Sequence, residues 1–251
     1  MLKNIKPDIV SICSPTEFHF KHFVACLEEN IPMIWLEKPP AQNYEELEKM
    51  LKLASQTDVK ILVNYTRRFL SIYKKLKNLF NNNILGKPTD MVIDYSKGLL
   101  INGSHIIDSA FMIFGNRPEL SITNIKIIHK SENPSFIINN NDDIPIYVIG
   151  HDVPYHSRDV SVTFEAGRVS ITQEGHKYIY EKRTEQKYYP GYFQLNDLGL
   201  KNEKIEDFDQ SITNALNNLI NAYENNVNTD SNLQTSKITQ KVLTTVINEC
   251  C

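Results

Sequence analysis

Apolar residues in the first third of the chain come in short unbroken runs. Between these runs they recur every three or four positions instead. Asp8–Ser14 (DIVSICS), Pro32–Glu37 (PMIWLE) and Lys60–Tyr65 (KILVNY) have strand length and strand composition. EFHFKHFVACLEEN places Phe20, Phe23, Val24 and Leu27 on one helical face. NYEELEKMLKLAS begins at Asn43 with Glu46 three positions on, a start in which side chain and backbone cap each other. Continuous apolar strands separated by amphipathic helices predict a parallel sheet covered on both faces. The opening MLKNIKP resembles the end of a helix, so the chain reads as if it starts mid-domain.

Beyond residue 70 the pattern changes. Residues 71–81 read as a helix, followed by the turn LGKP. TDMVIDYSK alternates, with Met91, Ile93 and Tyr95 on one face and Val92 and Asp94 on the other. Gly103–Gly115 (GSHIIDSAFMIFG) reads as a helix stopped by glycine. Strand-like pieces follow: ITNIKIIH, IPIYVIG, VSVTFEAGRVSITQ with a hairpin turn at EAG, and HKYIYEK. The asparagine-rich stretches NNN and INNNDD read as polar loops. Two helices close the chain, FDQSITNALNNLINAYEN and TSKITQKVLTTVINE. The expected fold class is α/β: a partial parallel sheet, then an α+β domain with a mostly antiparallel sheet. The join falls near residues 66–69.

Composition narrows the function classes. The 251 residues are 41% hydrophobic and 23% charged, with a formal net charge of −3. Acids and bases are mixed along the chain, so no basic footprint for nucleic acid exists. No apolar run approaches the roughly 20 residues of a membrane span. The four cysteines form no disulfide framework, which suits a reducing cytoplasm. The terminal pair Cys250-Cys251 has no base nearby in sequence and reads as an inert tail.

Candidate chemistry begins at LEKPPA. Ligands of open parallel sheets bind at the carboxyl ends of the strands. Glu37 and Lys38 occupy one such end, and Ser14 and Pro15 the end of the preceding strand. Pro39 biases Lys38 toward an extended backbone, and Pro40 fixes its own φ. A lysine aimed in this way, beside a carboxylate, suits proton transfer or charge stabilisation. A solvated strand-end ion pair is the plainer reading of that stretch alone.

Four stretches in order make the chain resemble the Gfo/Idh/MocA family of NAD(P)-dependent oxidoreductases: PDIVSICSPTEFH, LEKPPA, VNYTRRF and NGSHIIDSAFMIFG. The closing LQTSKITQKVLTTVINE is similar to the family's last helix. The resemblance implies that residues 1–67 are the C-terminal portion of a dinucleotide-binding Rossmann domain. It makes residues 68–251 an α+β substrate-binding and oligomerisation domain. It implies hydride transfer between NAD or NADP and a hydroxyl-bearing carbon of a sugar, sugar nucleotide or cyclitol. Lys38 and His105 would be catalytic. Asn102 and Asp108 would serve the substrate side, Asp108 by orienting. Ser14, Pro15, His19, Glu37, Asn64 and Arg68, with Lys38, would line the cofactor side. The expected assembly is a homodimer or homotetramer formed through the second domain's sheet.

Two departures keep a second reading open. Many family members carry Asp four residues before the histidine, where this chain has Ile101, next to Asn102. The chain contains no G-x-G, the turn that binds a dinucleotide's pyrophosphate. The alternative is a catalytically silent member acting as a binding or assembly subunit. An enzyme cut short at its N-terminus is a third reading. His19 also reads as a histidine satisfied at a helix start, His105 as a core histidine, and Arg67-Arg68 as a surface pair. His151, Asp152, His156 and Asp159 match no metal-ligand spacing, so no metal is expected. Tyr178, Tyr180, Tyr188, Tyr189, Tyr192 and Phe193 read as packing or subunit contacts in preference to a sugar pocket.

Overall fold

The computed structural model describes residues 2–115, 120–197 and 207–250. The chain divides into two compact units, Met1–Phe69 with Gln210–Asn248, and Leu70–Asp209 with Glu249–Cys251. This differs from the expectation that 68–251 stay together, because the closing helices belong largely with the first unit.

The first unit contains helix α1 (Leu2–Ile5), strand β1 (Ile9–Ile12), α2 (His19–Glu28), β2 (Met33–Leu36), α3 (Tyr44–Ala54) and β3 (Lys60–Val63). The three strands pair in parallel in the order β1-β2-β3. Alternation along β2 feeds two cores. Ile34 and Leu36 pack with Phe23, Cys26, Leu47 and Met50 of α2 and α3. Met33 and Trp35 point the other way, into a cluster with Leu62, Phe69, Ala215 and Leu219. Ala215 and Leu219 lie on α6 (Ser211–Glu224), so the sheet's second cover comes from late in the sequence. On α2 the fully buried positions are His19, Phe23 and Cys26, with Phe20 and Leu27 packed at the margin. The face is turned from the predicted one because a histidine occupies its start.

The two sheet edges differ. Along β3, Val63 N donates to Ser231 O at 2.8 Å, and the Thr229 and Ser231 hydroxyls donate to Ile61 O and Val63 O at 2.6 Å. That segment, ahead of α7 (Lys237–Cys250), satisfies an edge that would otherwise expose bare backbone groups. β1 is not buried on both faces as expected: Ile9 is 37% exposed and only Ile12 is buried.

The second unit contains α4 (Ser71–Asn81), β4 (Pro88–Ser96), α5 (Ser104–Ile113), β5 (Ile122–His129), β6 (Ser135–Asn140), β7 (Ile146–His151), β8 (Arg158–Phe164), β9 (Gly167–Thr172), β10 (Lys177–Glu185) and β11 (Phe193–Asp197). Its eight strands run in the order β11-β10-β9-β8-β4-β7-β6-β5. All neighbours are antiparallel except β4 and β7. The expected fold class holds: a small parallel sheet, then a larger, mostly antiparallel one. Met91, Ile93 and Tyr95 are buried on one face of β4, as the alternation predicts, while Val92 and Asp94 are half-buried on the other.

Two strands escaped the sequence. Asn139 and Asn140 belong to β6, not to a loop, because the Asn140 side chain closes the turn into β7. Its Nδ2 donates to Ile144 O at 2.6 Å and its Oδ1 accepts from Asp142 N at 2.9 Å. β11 is exposed along its whole length, so its residues carry no burial pattern to read. Of the aromatic cluster read as packing or subunit contacts, Tyr178 is buried in the unit, while Tyr188, Tyr189, Tyr192 and Phe193 are 58–80% exposed on it. Among the described residues no helix is long and apolar enough to cross a membrane. Cys26 is buried, Cys13 is exposed and Cys250 is half-exposed; all three are free thiols. Cys251 lies outside the described residues.

Candidate functional site

In the first unit the candidate groups collect where the parallel strands end. Glu37 N donates to Ile12 O at 3.0 Å and Asn64 N to Leu36 O at 2.8 Å, so the ladder continues past all three strands. Asn64 Nδ2 then donates to Glu37 Oε1 at 2.5 Å. The remaining amide oxygen, Asn64 Oδ1, is buried and accepts no hydrogen bond among the described residues. Lys38 is half-buried beside Glu37, and its peptide bond to Pro39 is cis. Ser14 Oγ lies 2.9 Å from His22 Nδ1, at the end of β1. His22 was missed; its only sequence signal is its place one helical turn after His19.

His19 has a different job from the expected one. It is 1% exposed, with Nδ1 3.1 Å from Pro39 O and Nε2 2.8 Å from Ser14 O. The ring ties the ends of β1 and β2 together and presents no free edge. Arg68 is likewise buried and not a surface group. It is 2% exposed, and its guanidinium donates to Asp230 O and Thr235 O at 3.2 Å, holding the segment that covers β3. Pro15 is exposed at the turn into α2.

In the second unit Asn102 and Gly103 of the NGSH stretch end a π-helical turn, Leu99–Gly103, and Ser104 and His105 begin α5. Such wide turns occur often at functional sites. Asn102 is 2% exposed; its Nδ2 donates to Ser96 O at 2.8 Å and contacts His156 Nδ1 at 2.9 Å. His105 is half-buried on the first turn of α5, and Asp108 is fully buried one turn on. That burial suits Asp108 to orienting neighbours, not to touching a ligand. Ile101, in the position of the family acid, is 62% exposed.

The turn is buttressed on two sides. Gly98 N donates to Asn133 Oδ1 at 2.7 Å, and Asn133 Nδ2 donates to Asp152 Oδ1 at 2.6 Å. Tyr95 OH donates to Pro134 O at 2.8 Å; burial pushes its phenol well above the ordinary range. Ser96 Oγ donates to Tyr155 O at 2.7 Å and accepts from Ser157 N at 2.9 Å. Asn133 and His156 lie far from NGSH in sequence, and no motif ties them or the nearer Ser96 to it. The four residues weighed for a metal disperse: His151 pairs with Asp94 at 2.8 Å, Asp152 with Asn133, and His156 with Asn102. Burial raises the Asp159 carboxyl, and the nearby Asp94 and Glu174 charges push it the same way.

Residues 1–65 match the family model of Gfo/Idh/MocA, described as an oxidoreductase family with an NAD-binding Rossmann fold. The first 65 residues are thus similar to the Gfo/Idh/MocA family. The chain is 33% identical over 87 residues to a D-glucoside 3-dehydrogenase of Escherichia coli, covering 35% of this chain and 24% of that protein. It is 30% identical over 88 residues to a myo-inositol 2-dehydrogenase of Thermotoga maritima, covering 35% of this chain and 26% of that one. The matches therefore span about a quarter of each curated relative's length. The fold is that of a dehydrogenase from Chromobacterium violaceum, with a TM-score of 0.79, 14% identity, and coverage of 99% of this chain and 78% of that one.

Proposed function

We propose that this chain is an oxidoreductase that moves a hydride between NAD or NADP and a hydroxyl-bearing carbon of a sugar, sugar nucleotide or cyclitol. The observation that carries the reading is the convergence of Ser14, Glu37, Lys38 and Asn64 at the carboxyl ends of three adjacent parallel strands. The buried, unsatisfied Asn64 Oδ1 is an acceptor suited to a ribose hydroxyl or a carboxamide N–H. The strand ends therefore fit the nicotinamide half of the cofactor. No G-x-G turn in this chain serves the pyrophosphate. When bound, the dinucleotide supplies the hydride chemistry; the protein orients and handles the proton.

Each residue then takes a role. Lys38 holds the ribose, with Glu37 and Asn64 fixing its surroundings. His105 takes or gives the hydroxyl proton, and Asp108 orients it. The first unit serves the dinucleotide and the second the substrate. Relatives named for a glucoside and for an inositol support a polyol substrate class. The face of the eight-stranded sheet that carries Val92, Asp94 and Tyr147 pairs subunits into a homodimer or homotetramer. The free thiols of Cys13, Cys26 and Cys250 suit a reducing cytoplasm, the compartment this reading assigns.

Titration of the chain with NADH and NADPH by calorimetry, alongside Lys38→Ala, tests the reading. Micromolar binding that weakens at least about tenfold on substitution supports it, since a charge-assisted contact is worth about 1.5–3 kcal/mol. No binding of either nucleotide by a cooperatively folded chain would favour the second reading, a silent assembly subunit. The exposed Ile101, in place of an ionisable group, is the observation on that side.

A further inference from the structure

His156 is exposed, yet it is held as few surface histidines are. Its backbone neighbours are clamped to the end of β4: Ser96 Oγ bonds to both Tyr155 O and Ser157 N, and Ser96 N donates to Ser157 O at 3.1 Å. Its ring meets a buried amide. Asn102 Nδ2 faces Ser96 O at 2.8 Å and His156 Nδ1 at 2.9 Å. Turning that amide over would set Oδ1 against the Ser96 carbonyl oxygen, two acceptors at hydrogen-bond distance. The NH2 group therefore faces both partners and donates one hydrogen to each. His156 Nδ1 must accept, which puts the ring proton on Nε2. Ordering a surface side chain costs rotamer entropy that burial does not offset here. What the arrangement provides is an N–H donor of fixed direction, next in sequence to Tyr155, which is 64% exposed, and held by Asn102, which follows the 62% exposed Ile101.

We propose that His156 is a substrate-binding residue of the second unit, its ring oriented by Asn102 so that Nε2–H donates to a hydroxyl oxygen of a polyol or sugar. A polyol offers hydroxyl oxygens to such a donor and C–H faces to an apolar neighbour such as Tyr155. Asn102 is then a positioning residue: both of its amide hydrogens are spent, and it acts on the substrate through His156. The substrate class rests on the oxidoreductase reading above; the ring geometry does not.

The test has two arms, both on the full 251-residue chain. Long-range proton–nitrogen spectra at pH 8 read the tautomer, with His156 assigned by its loss in His156→Phe. A single Nε2–H form in the wild type, turning into a mixture in Asn102→Ala, is expected. An Nδ1–H form or a mixture in the wild type overturns the proposal. In the second arm, myo-inositol and methyl β-D-glucoside are titrated while the His105 and His156 ring signals are followed. At least one probe should shift His156. His156→Phe should weaken that probe about tenfold, the size expected for one lost hydrogen bond. His156→Gln, which keeps a donor, should recover part of the loss, and NADPH affinity should stay within about twofold. If His105 responds and His156 does not, the proposal fails and the oxidoreductase reading stands. If neither ring responds to either probe, both fail.

Discussion

Replacing Gly150 by alanine drives a methyl group into backbone. A Cβ built at this position on β7 lies 2.0 Å from Asn133 O, 2.5 Å from Asn133 C and 2.9 Å from Pro134 O. Real Cβ atoms do not come closer than about 3.0 Å to such neighbours, so the gap must open by at least 1.0 Å (3.0 minus 2.0). No side-chain rotation relieves it, because every atom in the way is main chain. Overpacking of this kind costs about 1–3 kcal/mol. The same shift pulls on the Tyr95 OH bond to Pro134 O and on both Asn133 side-chain bonds, which reach Gly98 and Asp152. At about 1 kcal/mol each, even partial loss brings the total to about 3–5 kcal/mol. For a chain of this size that lowers the calorimetric midpoint of the second unit by roughly 6–20 °C. Hydrogen exchange should locate the damage, with the Gly98 amide losing protection first. Gly191→Asn is the control, since nothing lies within 4 Å of that site and only the backbone strain of its φ of +84° is added, which Asn bears better than most residues. A Gly150→Ala midpoint within about 2 °C of wild type, with the Gly98 amide still protected, would refute the argument.

Two further expectations can be checked on the same material. Asn43 Oδ1 accepts from Glu46 N at 2.9 Å and Glu46 Oε2 accepts from Gln42 N at 2.8 Å; Asn43→Ala should therefore cost about 1 kcal/mol, read as a lower urea midpoint in the fluorescence of Trp35, the chain's one tryptophan. Asp159 has a raised carboxyl, chiefly from burial, so the folded state holds its proton more tightly than the unfolded chain does. Its favourable contribution is present below the unfolded value of 3.8 and is lost as pH rises through the higher folded value. Asp159→Asn should then be more stable than wild type at pH 7, with the gap closing as pH falls toward 3.8; a constant gap between pH 3 and 7 would count against it.

Local chemistry by itself determined the start of α3, the span of α4, the alternation of β4 and the hairpin at Glu165–Gly167. In each case the pattern that forms the element is complete within a dozen residues. The strand-end groups Ser14, Glu37, Lys38 and Asn64 were legible for the same reason: a parallel sheet presents its carboxyl ends together, so three short runs suffice to collect them. Tertiary structure decided the rest. His19 and Arg68 are polar in the sequence but buried in the fold, because carbonyls of Ser14, Pro39, Asp230 and Thr235 satisfy them. Trp35 needed Leu219 of α6 to complete its core cluster, 184 positions later (219 minus 35). Asn102 and His156 are separated by 54 positions. No period or motif links residues so far apart; only strand pairing, which sets the end of β4 against residues 155–157, brings the amide to the ring and fixes which nitrogen carries the proton.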